Sequence, residues 1–388
     1  MKHLILLVAL GACTDTLPPI KGTTSIAVTL VSPADPGSVT NRLPDTARTV
    51  MVSLQAKDAD NLDDPTYSQP VQVYVHFLGT LSPYLDGMPL QTITMTGGKA
   101  TNVTIMLPPV FGPTTIWFDD GKNPGATYAT GISPTLWYRD PYVADIQTPT
   151  SETALDAFSN SPLVTKNIAV DQSRHGPNGL LVVTSVFAQG YTVADVMCAG
   201  PKTPPCTAQD YDYVEVFSFS APADQQLRFI AEGQLIDGFA GGISEFDGLT
   251  EIGFPQTFSY ADMPTVNTAL EPPPVVLDPV TWFSTNKIEF ERNEAGAIEI
   301  DNGKVCPLDD DYTTFKQWKI DPAGVADTAA CKGKSLINVI TTGVVPIDPA
   351  TLVGKTVPRV VGILRPINIG SFNVWIIYPR SMADLTIN

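Results

Sequence analysis

The side chains that most often perform acid–base chemistry are scarce in this chain. Its 388 residues include three histidines, His3, His76 and His175. His76 and His175 fall in segments that we assign to different domains, so neither a Ser-His-Asp triad nor a histidine-rich zinc site is expected. His175 stands in the polar run QSRHGPNG, which predicts an exposed loop. We therefore expect a protein that is not an enzyme.

Clustered carboxylates are the alternative source of chemistry. Glu245, Asp247 and Glu251 occupy odd positions, so one strand would place all three on one face, where two carboxylates could cleave a glycosidic bond. The chain contains 40 acidic residues, and coincidences of this kind are common at that number. We do not assign a catalytic residue.

The acidic run KDADNLDD at positions 57–64 is a candidate calcium loop. Its carboxylates are hard oxygen ligands of the kind that Ca²⁺ prefers, but the run lacks the glycine and the final glutamate of an EF-hand loop. A solvated turn rich in aspartate explains the same residues. No cofactor is expected, and the weak calcium candidates are Asp58, Asp60, Asp63 and Asp64.

Aromatic side chains are the remaining candidate binding groups. They lie around the second and third strands of a predicted small barrel, where OB folds stack bases or sugars. Tyr213 and Phe217 are an even number of residues apart and share a strand face. Alternating aromatics are also typical of a core, so both interpretations stay open. The candidate ligand-binding residues are Tyr191, Tyr211, Tyr213 and Phe217.

Composition and periodicity indicate the elements that carry these residues. Thirty-five prolines and 29 glycines spread along the chain favour many short strands joined by turns, and therefore an all-β protein. Seven alternating runs between residues 25 and 141 predict an immunoglobulin-like β-sandwich. They are SIAVTLVSP, TVMVSLQAKDAD, VQVYVHFLG, LQTITMTGG, ATNVTIMLPP, TTIWFDD and PTLWYRD.

A second pattern of five strands occurs twice in the rest of the chain. It predicts two OB-like Greek-key barrels, at 163–265 and, in degenerate form, at 266–388. The first barrel's runs are 182–186, 190–195, 213–217, 227–235 and 245–252. Those of the second are 286–290 with 296–300, then 335–340, 358–364 and 373–378.

Three short motifs carry a resemblance to a known group of domains. They are ADIQ at 144–147, SPL at 161–163 and PRSMADL at 379–385. They resemble motifs of the OB-fold-like domains found beside secreted bacterial nucleases and in many bacterial surface lipoproteins. The resemblance covers residues 142–388 and implies OB-like barrels. We expect no counterpart of the nuclease domain that often follows such barrels.

The first residues predict export and a lipid anchor. Lys2 and His3 precede the apolar run Leu4–Leu10, which is too short to span a bilayer. The following Leu-Gly-Ala-Cys resembles the lipobox of bacterial lipoproteins, in which the cysteine, here Cys13, is lipidated. Thr14 follows the cysteine where an aspartate could stand, and this resembles the pattern of enterobacterial lipoproteins that are sorted to the outer membrane. We expect a signal peptide at 1–12, a tether at 13–24 and a linker at 142–162 between the sandwich and the first barrel.

Four cysteines remain once Cys13 is set aside. An even number in an exported chain predicts two disulfides. Of three possible connectivities we favour the local pairs, which close one loop in each barrel; a four-cysteine zinc site is the alternative. The residues are Cys198, Cys206, Cys306 and Cys331.

The charge balance argues against one class of partner. The formal net charge is −17, and no basic run occurs, whereas binding a phosphate backbone depends on Lys and Arg. We expect a non-catalytic, lipid-anchored protein of the outer membrane that acts as a binding or scaffolding module for a protein or glycan partner. The alternative is an accessory subunit that binds oligosaccharide or nucleic acid for a secreted degradative system.

The lipid anchor is testable by substitution. Cys13→Ser removes the thiol that lipidation requires, and we expect the variant to leave the membrane fraction, because the remaining N-terminal segment is too short to span a bilayer. Fractionation and immunoblotting of wild type and variant measure the change. Equal membrane retention of both proteins would refute the lipobox interpretation.

Overall fold

The computed structural model describes residues 22–79, 89–121, 129–153, 161–284, 286–325, 330–333, 335–369 and 372–387. The predicted signal peptide and Cys13 lie outside this part of the chain. A first compact unit ends at Arg139 and a second begins at Asp140, with Leu78 and Gly79 also assigned to the second. Both units are built from strands, so the protein is all-β as predicted.

The first unit is a β-sandwich around one core. Its strands are β1 (Ser25–Ser32), β2 (Thr49–Lys57), β3 (Pro70–Phe77), β4 (Gln91–Thr94), β5 (Lys99–Met106), β6 (Pro113–Asp119), β7 (Thr130–Ile132) and β8 (Leu136–Trp137). They pair in the order β4-β3-β6-β7-β1-β2-β5, with β8 on β6. Alternate residues of β2 and β3, such as Val52 and Val73, are buried in the same cluster. Each of the seven predicted runs contains one strand, and the short β7 is additional.

The second unit begins with an OB-like barrel. Its strands are β9 (Asn167–Val170), β10 (Gly179–Phe187), β11 (Gly190–Gly200), β12 (Thr203–Thr207), β13 (Tyr213–Phe217), β14 (Leu235–Ile236), β15 (Gly238–Phe246) and β16 (Leu249–Phe258). The path β10-β11-β13-β16-β15 has its one parallel pairing between β13 and β16. Only Asp237 separates β14 from β15, and β14 pairs with β10, which brings the path back to its start.

The second barrel repeats this topology and closes completely. Its strands are β17 (Val275–Val276), β18 (Ala297–Val305), β19 (Trp318–Asp321), β20 (Ile337–Val339), β21 (Thr356–Ile369), β22 (Phe372–Tyr378) and β23 (Leu385–Thr386). The ring β18-β19-β20-β22-β21 returns to β18, and β20 pairs with β22 in parallel. This is the Greek-key connectivity expected of an OB-like barrel.

The helices are few and short. They are α1 (Val143–Gln147), α2 (Pro279–Trp282), α3 (Ile288–Arg292) and α4 (Asp310–Phe315), with 3₁₀ turns at Gly176–Asn178, Thr268–Leu270, Ala330–Lys332, Pro349–Leu352 and Met382–Asp384. No described helix has the length and apolar content needed to cross a bilayer.

Three predicted strands are wrong in detail. The run 227–235 is mostly loop, and the fourth strand starts only at Leu235. The run 245–252 spans a hairpin, because Asp247 and Gly248 both have positive φ and form the tight turn between β15 and β16. The run 286–290 enters α3, where Ile288 and Phe290 point into the protein and Glu289 does not.

The motifs ADIQ and SPL attach the segment that precedes the first barrel to that barrel. The Gln147 side chain at the end of α1 donates from Nε2 to the backbone oxygen of Tyr213, at 2.8 Å. The Ser161 hydroxyl donates to the oxygen of Ile146, at 2.6 Å. Both bonds are buried, so the residues before the barrel are attached to its third strand, β13.

Two disulfides join the four cysteines as predicted. Cys198–Cys206 links β11 to β12, and Cys306–Cys331 links the end of β18 to the 3₁₀ turn that contains Cys331. Each bond lies within one barrel. The pairing excludes the alternative zinc site, because all four thiols are consumed.

One buried aromatic ring lies at the centre of an aromatic cluster in the core of the second barrel. Phe290 in α3 is fully buried, and its ring centroid lies 5.1 Å from that of Trp282, 5.2 Å from Phe283 and 5.2 Å from Trp375. Contacts of this kind add to the free energy gained by burying the ring itself.

Phe290→Ala should therefore destabilise the protein strongly. We expect a loss of about 3–5 kcal/mol in the free energy of unfolding, because the three surrounding rings cannot fill the vacated volume. Urea unfolding followed by tryptophan fluorescence measures it. Val280→Ala, on the exposed side of α2, is the matched control and should change stability by less than about 0.5 kcal/mol. Similar losses in both variants would contradict this role of Phe290.

Candidate functional site: a cleft between the two barrels

The predicted aromatic binding face is not a stacking surface. Tyr191 is 1% exposed, and Tyr211 and Tyr213 are also buried. The Tyr191 hydroxyl shares a hydrogen bond with that of Thr257 inside the first barrel. The prediction that these three tyrosines stack on a ligand is therefore wrong, because their rings have no surface to offer.

The second barrel covers this face. The ring of Tyr213 lies against Gly296, where even a Cβ atom would come within 2.8 Å of the ring. The backbone N–H of Tyr211 donates to the oxygen of Arg292 at 2.8 Å, and its hydroxyl donates to Glu152 at 2.7 Å. The closeness of the two barrels thus buries the OB surface that often binds ligands in single barrels.

Phe217, the fourth predicted residue, lies where the covered face ends. It is half-buried, and its ring makes an edge contact with Phe219 at 5.2 Å between centroids. Phe219 in turn lies 5.1 Å from Phe254, and both of these rings are exposed. The exposed aromatic rings in this part of the molecule are therefore Phe219 and Phe254, and not the tyrosines that the sequence predicted.

A cavity of about 300 Å³ opens between the barrels beside this point. We call it the inter-barrel cleft. The turn between β10 and β11, the strand β13, the middle of β21 and the end of β22 form its walls. It is lined by Ser185, Val186, Phe187, Ala188, Gln189, Glu215, Val344, Ile363, Arg365, Tyr378, Pro379 and Arg380.

Arg365 is the centre of the cleft. Its Nη2 donates to Oε1 of Glu215 at 2.8 Å. Its guanidinium carbon lies 5.6 Å from the ring centroid of Phe187 and 5.5 Å from that of Tyr378, within cation–π distance of both. Within the described part of the chain, Nε and Nη1 have no hydrogen-bond acceptor. Two nitrogens thus remain able to donate to a ligand.

Glu215 has an unusual carboxyl group for a strand residue. It is fully buried, and its Oε2 has no hydrogen-bond partner among the described residues. Burial raises the pKa of Glu215 to about 7 against the opposing charge of Arg365, and Glu251 adds to the rise. A glutamate that changes charge near neutral pH inside a cavity is typical of a functional site.

Arg380 forms the far wall of the cleft and joins the barrels. Its Nη1 donates to the backbone oxygen of Thr184 and to Glu232, both at 2.9 Å, and to Glu271 at 3.0 Å. Its Nε and Nη2 bind Asp384 at 3.1 and 3.0 Å. Burial also raises the pKa of Glu271 to about 7, helped by Glu232 and opposed by Arg380.

Sequence reasoning missed the polar residues of the cleft. Arg380 belongs to the PRSMADL motif, which was a usable signal, but its partners Glu232 and Glu271 are more than 100 positions away. Glu215 lies two residues from both Tyr213 and Phe217 on β13, so the sequence predicts that all three share one strand face. Its partner Arg365 is 150 positions away and carries no local signal.

The predicted calcium loop forms a turn in which the carboxylates bind protein groups. Asp58 Oδ1 accepts the backbone N–H groups of Asp60 and Leu62, and Asp63 pairs with Lys57 at 2.8 Å. Asp64 accepts from Thr23 and Thr66. Among the described residues, these aspartates do not converge on a common point that could hold a metal ion.

One other cluster of ligand-type side chains does converge. His175, Asp195 and Asp212 each place one ligand atom within 4.8 Å of the others. His175 is therefore not the exposed loop residue that its polar neighbours predict, because its ring is folded onto Asp212, with Nε2 2.9 Å from Oδ2.

The raised pKa of Glu215 predicts a pH-dependent stability. The folded pKa, about 7, exceeds the ordinary value of 4.5, so the folded state is favoured below pH 4.5 and loses this contribution as pH rises through 7. The loss is on the order of 3 kcal/mol. In Glu215→Gln, which keeps an acceptor for Arg365, we expect the decline in unfolding free energy between pH 5 and 8 to be smaller by that amount.

Urea unfolding at several pH values measures both proteins. Asp195 and Glu271 also have raised pKa values, so the wild-type stability should fall with pH from several sites, and the difference between the two proteins isolates Glu215. Parallel pH profiles would show that Glu215 does not titrate in this range.

Comparison of the chain with protein-family models, with curated proteins and with solved structures found no match. The likeness of residues 142–388 to the OB-fold-like domains of bacterial lipoproteins stays a prediction from their motifs. The barrel topology itself is observed.

Proposed function

We propose that this chain is an exported binding protein, anchored by a lipid on Cys13, which holds its ligand in the inter-barrel cleft. The observation that carries the proposal is the cleft itself. It combines apolar walls, a few convergent polar groups and a carboxyl group with a raised pKa. Cavities of this size and composition are the usual place for a small ligand.

The charges in the cleft favour a neutral ligand. Arg365 already donates to Glu215, and Arg380 is surrounded by Glu232, Glu271 and Asp384. A phosphate or sulfate group would have to compete with these carboxylates. The formal charge of −17 adds a long-range repulsion of anions.

An oligosaccharide fits the remaining groups. Sugars present apolar C–H faces, which pack on walls such as Phe187 and Val344, and hydroxyls that both donate and accept. The exposed Gln189 amide can do either, and Arg365 supplies donors. OB-type barrels are used for oligosaccharides and oligonucleotides alike, and the charges here favour the first.

We propose binding without catalysis. The described residues that line the cleft include one carboxylate, Glu215, and it is paired with Arg365. Glycoside hydrolysis normally requires two carboxylates placed on either side of the bond to be broken. Glu215 therefore serves to orient Arg365 and the ligand that Arg365 binds.

Substitutions in the cleft test the proposal. We expect the wild-type protein to bind at least one member of a panel of neutral oligosaccharides, measured by isothermal titration calorimetry. Phe187→Ala and Gln189→Ala should weaken that binding by roughly tenfold or more, which is about 1.4 kcal/mol, because each removes a wall or a polar contact. Sulfated members of the panel should bind no better than their neutral counterparts.

Phe254→Ala provides the matched control, since Phe254 is 82% exposed and lies outside the cleft lining. It should bind as the wild type does. The proposal fails if no oligosaccharide binds, or if the cleft variants bind as tightly as the control. Circular dichroism of each variant verifies that the barrels are intact.

A further inference from the structure

The cluster of His175, Asp195 and Asp212 is assembled by the first barrel at the side of β11 and β13. Ala194 of β11 pairs with Tyr213 of β13, so Asp195 and Asp212 are the next opposite pair. The backbone N–H of Asp195 donates to the oxygen of Asp212 at 2.8 Å. His175 comes from the loop before β10. The strand register thus fixes the two carboxylates, and the loop brings the imidazole to them.

The two aspartates are an unfavourable pair as they stand. Both are fully buried. Like charges that face each other across neighbouring strands destabilise a sheet, and burying a carboxylate is costly unless its charge is compensated. A sheet would normally avoid this arrangement, so the compensation of each carboxylate decides what the cluster can do.

Asp212 is well compensated by the protein. Its Oδ1 lies 2.7 Å from Nε of Arg174, and its Oδ2 accepts the backbone N–H of Gln209 at 2.7 Å and faces the His175 ring. Asp195 is not. Its Oδ2 accepts the backbone N–H of Arg174 at 2.9 Å, but its buried Oδ1 has no hydrogen-bond partner among the described residues.

We infer that His175, Asp195 and Asp212 form a binding site for a divalent transition-metal ion. The ion supplies the positive charge that Asp195 lacks, and the free Oδ1 of Asp195 supplies a ligand atom. Imidazole nitrogen and carboxylate oxygen are both ligand types that Zn²⁺ accepts, and Zn²⁺ often takes three protein ligands and leaves a fourth position open. The imidazole disfavours Ca²⁺ and Mg²⁺, which prefer oxygen.

The surroundings of the cluster suit a metal site. Arg174 holds Asp212 through the oxygen that faces away from His175, which is how neighbouring groups orient a ligating carboxylate. The disulfide Cys198–Cys206 lies on the hairpin between Asp195 and Asp212 and ties its two strands together. The four described cysteines are oxidised, so they do not compete for the metal.

An ion-pair network without metal is the competing explanation. In that case Arg174 and a protonated His175 neutralise Asp212, and Asp195 is held as the neutral acid. The two explanations differ over Asp195→Asn. Without a metal this change removes a buried acid and leaves metal affinity unaffected. With a metal site it removes a ligand atom.

Zinc titration of the full-length protein tests the inference. The protein, prepared without a histidine tag and dialysed against EDTA, is titrated with ZnCl₂ in a calorimeter. We expect one Zn²⁺ per chain and a raised melting temperature of the zinc-loaded protein. Asp195→Asn and His175→Gln should each weaken zinc binding by at least roughly tenfold, a size common for lost ligands or their supports.

Asp311→Asn is the control, because Asp311 belongs to a separate acidic group that pairs with Lys319. It should bind zinc as the wild type does. The inference is overturned if the wild type takes up no stoichiometric zinc, or if Asp195→Asn and His175→Gln keep both the wild-type affinity and the zinc-dependent rise in melting temperature. Using two variants with different side chains guards against a change that merely unfolds the loop.

Discussion

The contact on which the second unit depends most is the ion-pair network of Arg380. One guanidinium, contributed by the end of the second barrel, binds Thr184 and Glu232 of the first barrel, Glu271 of the segment between β16 and β17, and its own Asp384. Removing a partner from such a network leaves buried charge without compensation, which costs far more than the loss of a surface pair. The hydrogen bonds of Arg380 therefore stabilise the junction of the two barrels as a set, and the loss of one acceptor weakens the whole junction.

This junction explains how the barrels pack as a pair. A single OB barrel exposes the face of its second and third strands, but here that face is packed against the second barrel, with Tyr213 on Gly296. What remains accessible is the edge of the face, where the partly exposed Arg365 covers the buried Glu215. Joining the barrels thus leaves a narrow cleft, whose arginines already donate to protein groups, in place of a broad stacking surface.

The sequence was sufficient to predict strands but not all of their ends. Alternation predicted the sandwich and the repeated barrel, because period-two burial is a local property of each strand. It failed at 245–252, where apolar residues continue through the turn and only the Asp247-Gly248 pair marks the reversal. It failed again at 286–290, where a short helix places Ile288 and Phe290 inward with a spacing that a strand would share.

The site was harder to predict than the fold, for a physical reason. Alternation correctly places Tyr213, Glu215 and Phe217 on one face of β13, yet it does not tell whether that face meets solvent or protein. The answer depends on residues far along the chain that permit close approach, such as Gly296, and on Arg365, whose charge makes a buried Glu215 tolerable. A carboxylate on a buried strand face is costly alone, so its presence required a distant cation, and only the folded chain identifies which one.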